Sequence, residues 1–299
     1  MVTRTPQNAN DFIEQQLDQC IDSIATTYQS DALSFSGGLV FGVDDLVRNV
    51  VEEMRHGSQN RKLVVILTTT GGYIEVVQRI VETLRHHYNH VEFIIPNYAY
   101  SAGTVLVMSG NAIHMNYYSR LGPVDPQVEI NGQMLPALGY LIQWERLIKK
   151  SGGTSGLTTA EAQLLIDGFD QAELYKYEQA RELSIALLKD RLVKYKFKNW
   201  TVTKTRGVPV THAMRVQRAA SIARMLNKTE KWHSHGYGIS SDVLRKDVKL
   251  EIEDFDSNPV VGKKIRGYYN LLDDYMTKLG NMGVVHTKGR HIPFAMGER

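Results

Sequence analysis

The sequence has a single cysteine, Cys20, among its 299 residues. One thiol cannot form an intramolecular disulfide, and it cannot supply a thiolate metal cluster within one chain. Proteins without disulfides are typical of the reducing cytoplasm. The cysteine content therefore predicts a cytoplasmic protein.

Long apolar runs are also missing. No stretch approaches the roughly 20 apolar residues that cross a bilayer as a helix. Residues 1–19 carry polar and acidic side chains among isolated apolar ones, without the apolar core of a signal peptide. We therefore expect a soluble protein without a membrane span.

Neither sign of charge dominates the composition. The 35 basic and 32 acidic residues are mostly interspersed and leave a formal charge of +3. Residues 189–206 are locally basic, and we interpret them as a solvated surface rather than a nucleic-acid site. The charge pattern gives no argument for a nucleic-acid or membrane partner.

Signals for a metal or cofactor are weak. Gly71 and Gly72 lack the lysine and the spacing of a phosphate-binding loop. His86, His87 and His90 have no carboxylate cluster beside them in the sequence, so we interpret them as exposed polar residues rather than metal ligands. No cofactor is expected.

Apolar residues follow two alternating patterns in the first half of the chain. Residues 63–67 form a continuous apolar run, which is typical of a strand buried on both faces of a parallel sheet. Residues 43–54 and 73–88 have apolar side chains at helical spacing, and residues 91–96 form another strand. This order predicts an α/β fold with a mostly parallel sheet of repeated βαβ units.

The chain is predicted to have one large domain with additions at both ends. Its 42% hydrophobic residues can fill such a core. We expect an N-terminal helical segment at residues 1–30, the α/β domain at 31–255, and a C-terminal helix and tail at 256–299. The domain carries a helical elaboration, in which a long helical stretch is expected to break near Gly168.

Two short motifs each join an apolar strand to a helical pattern. The first is TTTGG at residues 68–72, and the second is YSAG at residues 100–103. A serine on a sharp strand-to-helix turn exposes its hydroxyl, which makes Ser101 a candidate nucleophile. Gly71 and Gly72 tolerate backbone angles that other residues avoid, so an N–H group there can point into a cleft.

Backbone N–H groups from the two motifs are candidates for an oxyanion hole. One would come from the diglycine and the other from Ala102, and both would aim at one substrate oxygen. Either motif alone fits an ordinary structural turn. Together they lie about thirty residues apart, at the ends of successive strands, as one βαβ step requires.

Four segments resemble one family of serine peptidases. LTTTGGYI at residues 67–74 resembles the strand-end loop of Clp-fold peptidases, and YSAGT at 100–104 resembles their nucleophile turn. LGPVDPQ at 121–127 and WHSHGYGI at 232–239 are similar to segments of the signal-peptide-peptidase A branch, particularly its soluble serine dehydrogenase proteinase group. The resemblance implies a ClpP/crotonase fold, serine-dependent hydrolysis of peptide bonds, and oligomers whose active sites face an enclosed space.

The resemblance also implies roles for individual residues. Ser101 matches the nucleophile, and the N–H groups of Gly72 and Ala102 match the oxyanion donors. The general base does not carry over, because Clp-type enzymes have a histidine a couple of dozen residues after the serine and residues 121–127 contain none.

Three residues are therefore candidates for the base. The signal-peptide-peptidase A branch uses a downstream lysine, and residues 151–155 lack it, although Lys149 and Lys150 come directly before. A lysine acts as a base only when neutral, which requires a desolvated site; otherwise lysines at a helix end complement its dipole. His235 is the third candidate, and Asp125 is a residue that could orient it or could simply fix a turn.

The sequence thus predicts an ATP-independent serine endopeptidase that hydrolyses unfolded or extended polypeptides through an acyl-enzyme on Ser101. Two alternatives stay open: a catalytically inactive assembly or interaction protein with the same fold, and a crotonase-like acyl-CoA enzyme. A homo-oligomer is expected from the resemblance and from the apolar surplus in the helices after residue 135.

Overall fold

The computed structural model of the chain describes residues 5–125, 127–130, 133–154 and 156–295. The α-helices are Ala9–Tyr28 (α1), Val43–His56 (α2), Ile74–His87 (α3), Ala102–Val107 (α4), Ala137–Ser151 (α5), Thr159–Asp167 (α6), Gln171–Arg191 (α7), His212–Leu226 (α8), Thr229–Trp232 (α9), Ser241–Lys246 (α10) and Pro259–Leu279 (α11). The strands are Asp31–Ser36 (β1), Lys62–Thr68 (β2), His90–Ile95 (β3), Tyr98–Ala99 (β4), Ala112–Met115 (β5), Arg120–Leu121 (β6), Gln127–Ile130 (β7), Gln133–Pro136 (β8), Ile239–Ser240 (β9), Glu253–Asp254 (β10), Gly283–Thr287 (β11) and Arg290–Phe294 (β12).

A seven-stranded sheet lies at the centre, in the order β10-β5-β3-β2-β1-β11-β12. The neighbours from β10 to β1 are parallel, whereas β11 runs antiparallel to β1 and β12 runs antiparallel to β11. Helices α2 and α3 connect β1 to β2 and β2 to β3. The predicted α/β fold with a mostly parallel sheet is therefore confirmed.

The side chains of β2 alternate between two hydrophobic cores. Leu63, Val65 and Leu67 pack with α2 and α3, whereas Val64 and Ile66 pack with α1 and α11 on the other face. All five are buried. Because successive side chains of a strand point to opposite faces, a sheet covered on both sides requires such a continuous apolar run.

A second sheet of three short strands, in the order β4-β6-β9, adjoins the segment that follows β2. A bridge between Thr69 and Ala99 attaches the two. β4 and β6 are parallel and β9 is antiparallel to β6, with Ala99 beside Leu121 and Leu121 beside Ile239. This register brings three loops to one edge: the loops after β4 and after β6, and the loop before β9.

Helices α5 and α7 build a small core of their own beside α6. That core contains Leu138, Leu141, Leu174 and Tyr177. The long helical stretch breaks as predicted, because Gly168 is the C-cap of α6 and Asp170 caps the N-terminus of α7. None of the described residues of α6 is buried, and Leu164 and Ile166 are exposed.

The first and last helices pack together on one face of the central sheet. Leu17 and Ile21 of α1 share a core with Ile265 and Leu272 of α11. Strands β11 and β12 follow α11 and extend the sheet beyond β1. Among the described helices, none combines the length and the apolar character needed to cross a membrane.

Candidate active site

The two sequence motifs are joined by backbone hydrogen bonds. The Thr69 N–H donates to the Tyr98 carbonyl at 3.1 Å, and the Tyr100 N–H donates to the Thr69 carbonyl at 2.9 Å. These bonds pair Thr69, the residue directly after β2, with Ala99 of β4 in a parallel bridge. The diglycine that follows Thr69 and the serine that follows Tyr100 therefore leave the same edge.

Gly71 and Ser101 are in direct contact at this edge. A Cβ atom placed on Gly71 would lie 2.9 Å from the Ser101 Cβ and 2.9 Å from the Tyr100 carbonyl oxygen. Gly71 also has φ of +104°, a conformation that side chains disfavour. Glycine is therefore required here both for the backbone angle and for the close approach to the serine.

Ser101 itself has an unusual backbone conformation. Its φ is 52° and its ψ is −121°, at the residue that precedes the first turn of α4. Positive φ is uncommon for residues other than glycine, and such strain concentrates at functional sites. The conformation matches the sharp strand-to-helix turn that the sequence predicts, and Ser101 is partly exposed.

The backbone N–H groups near Ser101 differ in their availability. The Gly71 N–H donates to Thr69 Oγ1 at 3.0 Å, so it is already used. The N–H groups of Gly72 and Ala102 have no acceptor within the described part of the chain. These two N–H groups, rather than that of Gly71, can hold the oxygen of a substrate.

The neighbouring strand explains why Gly72 is free. The Leu39 N–H donates to the Gly71 carbonyl and the Tyr73 N–H donates to the Leu39 carbonyl, both at 2.8 Å. Backbone groups of successive strand residues point to alternate sides. The N–H and the carbonyl of Gly72 therefore point away from Leu39, and its surface is exposed.

Thr104 connects the turn at Ser101 to the segment after β6. Its side chain is fully buried. Its Oγ1 accepts from the Gly122 N–H at 3.0 Å and lies 2.9 Å from the Ala99 carbonyl, to which it can donate. One hydroxyl thus fixes the end of β4 against the chain that leads to Asp125.

Asp125 and His235 form a hydrogen-bonded pair. Asp125 Oδ1 lies 2.9 Å from His235 Nδ1. Asp125 as a whole is 2% exposed, and its Oδ2 has no partner among the residues described. A buried carboxylate on Nδ1 orients an imidazole and leaves Nε2 to act as a base.

The three-stranded sheet places this pair on the same side as Ser101. Ser101 and Asp125 follow the parallel strands β4 and β6, and His235 precedes the antiparallel strand β9. All three residues thus lie in loops at one edge. The histidine loop is anchored by Trp232, whose indole N–H donates to the Met225 carbonyl at 2.9 Å.

The two candidate lysines have a different setting. Lys150 is exposed, and its Nζ lies 2.6 and 2.7 Å from the two carboxylate oxygens of Glu161. Hydrogen bonds from Lys150 and Thr158 lower the pKa of Glu161 to about 2. Lys149 is also exposed. Neither lysine has the desolvated surroundings that a neutral amine base requires.

Comparison with known proteins assigns the family. Residues 13–227 match the family model of the ClpP-like SDH-type serine proteinases, which is more than half of the chain. The chain belongs to this family. The membership confirms the resemblance noted in the sequence and gives the α/β fold its ClpP-like type. The matched segment of this SDH-type chain contains Ser101 and Asp125 but ends before His235.

Curated relatives of this SDH-type chain include two uncharacterized proteins of Methanocaldococcus jannaschii. One is 28% identical over 171 residues, which are 56% of this chain and 53% of the relative. The other is 30% identical over 79 residues, which are 26% of this chain and 28% of the relative. The chain thus spans about half the length, or less, of the curated relatives that it matches.

Among solved structures, the chain is similar to the membrane-bound stomatin-specific protease 1510-N. A lysine-to-alanine variant in complex with a substrate peptide aligns with a TM-score of 0.44 and 14% identity, over 88% of this chain and 84% of the other. A serine-to-alanine variant aligns with a TM-score of 0.31 and 16% identity, over 51% and 82%.

Sequence reasoning found some of these residues and missed others. It named Ser101, Gly72, Ala102 and His235, and it gave Asp125 as a residue that could orient the histidine or fix a turn. It did not show which of these two roles Asp125 has, and the structure pairs it with His235 across 110 residues of chain. It also missed Thr104, although this residue ends the YSAGT motif. A threonine in an otherwise apolar helical segment was the signal that could have drawn attention to it.

Proposed function

We propose that the chain is an ATP-independent serine endopeptidase that hydrolyses unfolded or extended polypeptides through an acyl-enzyme on Ser101. The observation that carries this proposal is the contact between the diglycine turn and the strained serine turn. It leaves the N–H groups of Gly72 and Ala102 without acceptors in the described chain, beside the serine. This arrangement fits an oxyanion hole beside a nucleophile.

The proposed reaction uses His235 as the general base. The imidazole takes the Ser101 hydroxyl proton while Oγ attacks the peptide carbonyl, and the oxyanion forms beside the two N–H groups. The imidazolium then protonates the departing amine as the C–N bond breaks. Water repeats the sequence on the acyl-enzyme and releases the acid, and Asp125 holds the imidazole in place throughout.

The exposed edge at Gly72 supports an extended substrate. The N–H and carbonyl of Gly72 can form hydrogen bonds with the backbone of an added strand, as in recognition by strand addition. A folded protein keeps its own backbone groups paired and does not offer them. The substrate is therefore an unfolded or flexible polypeptide.

We prefer His235 to Lys150 and Lys149 because only His235 has a buried partner that orients it. Both lysines are exposed, and Lys150 is already paired with Glu161. A lysine from a second copy of the chain would require this ion pair to open. The histidine needs no such rearrangement.

We further propose a closed homo-oligomer. The arm formed by α5 to α7 leaves Leu164, Ile166 and Tyr175 more than half exposed. Large exposed apolar groups mark contact surfaces. Light scattering that gives the mass of one chain would remove this part of the proposal. The cytoplasmic location stays a prediction from the cysteine content.

A covalent serine probe tests the proposed chemistry. We expect a fluorophosphonate to label the wild-type chain and to leave Ser101→Ala unlabelled. We also expect His235→Ala to lose cleavage of a loosely folded protein by about a hundredfold or more, since a general base contributes this much. Lys150→Ala serves as the matched control and should keep its activity.

Three outcomes would contradict the proposal. Equal labelling of wild type and Ser101→Ala would exclude the nucleophile. Absence of any cleavage in a folded, assembled wild-type chain would favour the catalytically inactive interaction protein. Turnover of an acyl-CoA that survives Ser101→Ala would instead favour a crotonase-like enzyme.

A further inference from the structure

Two exposed aromatic rings lie beside the diglycine turn of Gly71 and Gly72. Phe41 is 53% exposed and Tyr73 is 51% exposed. Their ring centroids are 4.5 Å apart, with an angle of 34° between the planes. Tyr73 directly follows Gly72, and Phe41 lies two residues beyond Leu39, the residue that pairs with Gly72.

The rings are fixed by the backbone on which they stand. The Tyr73 N–H donates to the Leu39 carbonyl at 2.8 Å, which ties the two segments together. Phe41 is followed by Gly42, whose φ of +92° turns the chain into α2. Each ring covers part of the other, so the pair forms one apolar surface of limited mobility.

Strand geometry relates this surface to a bound polypeptide. A strand that pairs with Gly72 places one residue opposite the glycine, and the residues on either side of it lie on the opposite face. Tyr73 lies on that same face, because it is the neighbour of Gly72. Paired strands are about 4.8 Å apart, so a flanking side chain of the polypeptide reaches the aromatic rings.

We propose that Phe41 and Tyr73 bind an apolar or aromatic side chain of the polypeptide substrate, within two residues of the cleaved bond. The inference rests on the proposed function, since it takes the Gly72 N–H as a donor to the cleaved carbonyl. Two aromatic faces gain from contact with an apolar side chain and gain little from a small polar one. The rings therefore set the preferred cleavage position.

Peptide cleavage tests this preference. Two unstructured peptides are compared that differ only near the cleaved bond, one with leucine or phenylalanine and one with serine at the flanking positions. We expect Tyr73→Ser and Phe41→Ser to reduce kcat/KM for the apolar peptide about tenfold. Cleavage of the serine peptide should stay within about twofold of wild type.

Phe12→Ser is the matched control, because Phe12 is an exposed aromatic residue on α1 outside the proposed surface. It should change neither peptide's cleavage. Circular dichroism and fluorophosphonate labelling of each variant show that the fold and the nucleophile persist. An equal preference for the apolar peptide in wild type, Phe41→Ser and Tyr73→Ser would overturn the inference.

A binding measurement separates this inference from the proposed chemistry. Fluorescence anisotropy follows the labelled apolar peptide with the Ser101→Ala chain, which needs no turnover. We expect Ser101→Ala to bind the peptide about tenfold more tightly than the same chain with Tyr73→Ser added. If labelling and cleavage fail but this difference holds, the chemistry is wrong and the binding surface stands.

Two further results would overturn the inference. One is equal binding of the apolar and serine peptides by the Ser101→Ala chain, or binding of neither. The other is a change of molecular mass in Phe41→Ser or Tyr73→Ser without a change in peptide binding. In that case the rings form a contact between copies of the chain.

Discussion

Ser101 keeps a backbone conformation that glycine adopts more readily. Its φ of 52° and ψ of −121° place strain at the residue proposed as the nucleophile. We expect Ser101→Gly to be more stable than Ser101→Ala by about 1 kcal/mol, because glycine relieves that strain. Urea denaturation of the two variants measures the difference. Equal unfolding free energies of the two variants would show that the backbone conformation of Ser101 is not strained.

Thr104 combines burial with hydrogen bonds on both sides. In Thr104→Val the Gly122 N–H loses its shorter hydrogen bond and keeps only the one to the Ala99 carbonyl at 3.3 Å. We therefore expect a loss of about 1 kcal/mol of unfolding free energy. The nucleophile turn also loses its attachment to the Asp125 segment, so kcat should fall while KM changes little. Thr104→Ser keeps the hydroxyl and should retain most of the activity. A valine variant with wild-type kcat would exclude this positioning role.

At the scale of elements, a charged cluster joins three strands on the face covered by α1. Glu92 of β3 lies 3.0 Å from Lys62 of β2, 2.8 Å from His90 and 2.9 Å from His114 of β5. Burial alone would raise the pKa of Glu92. Hydrogen bonds from His114, His90 and Lys62 outweigh the burial and hold that pKa well below its usual range.

Removing the Glu92 charge should therefore weaken the sheet. We expect Glu92→Gln to lose about 2 kcal/mol of unfolding free energy at pH 7, since the Lys62 ammonium then loses its anionic partner while it stays partly buried. A carboxyl with a lowered pKa stabilises the fold above its unfolded value, near 4.3, and this contribution fades as the pH falls below it. The difference in unfolding free energy between Glu92→Gln and wild type should therefore become smaller as the pH falls below about 4.3.

Urea denaturation at pH 7 and at pH 4 and below checks this expectation. Asp274→Asn is the control, because Asp274 forms an exposed helical pair with Lys278. Such pairs contribute little to stability. If Glu92→Gln loses no more unfolding free energy than Asp274→Asn, the charged cluster around Glu92 does not stabilise the sheet.

The sequence predicted those elements whose pattern is local. The apolar run in β2 and the helical spacing in α2 and α3 follow from burial on two faces, and the break at Gly168 follows from helix capping. Strands β9 and β10 have two residues each, too few to show any periodicity. The pair of Asp125 and His235 depends on the register of β6 with β9, which no local pattern encodes.

At the scale of the whole molecule, the hairpin of β11 and β12 is held by buried histidines against α1 and α11. His286 Nδ1 lies 2.7 Å from the Tyr268 hydroxyl, and its Nε2 lies 3.2 Å from Asp18 Oδ1. His291 packs on Tyr275, with ring centroids 5.2 Å apart. Burial, followed by the proximity of His286, lowers the pKa of His291.

This lowered pKa gives the fold a pH dependence. Below about 6.5 the unfolded chain binds a proton on residue 291 that the folded chain resists, so stability falls as the pH decreases. We expect His291→Leu to lose less stability than wild type between pH 7.5 and 5.5. Urea denaturation at both pH values measures this, with the exposed His212→Leu as control. An unchanged pH slope in His291→Leu would contradict the assignment.

The position of β1 has a consequence for synthesis of the chain on the ribosome. β1 is translated well before β11, yet it lies between β2 and β11, and Ser34 pairs with His286. The edge of β1 that pairs with β11 stays open until residues 283–287 have been translated. Contacts between such distant residues slow folding and leave an open strand edge that invites aggregation. A polypeptide that stops before residue 283 would keep that edge uncovered permanently.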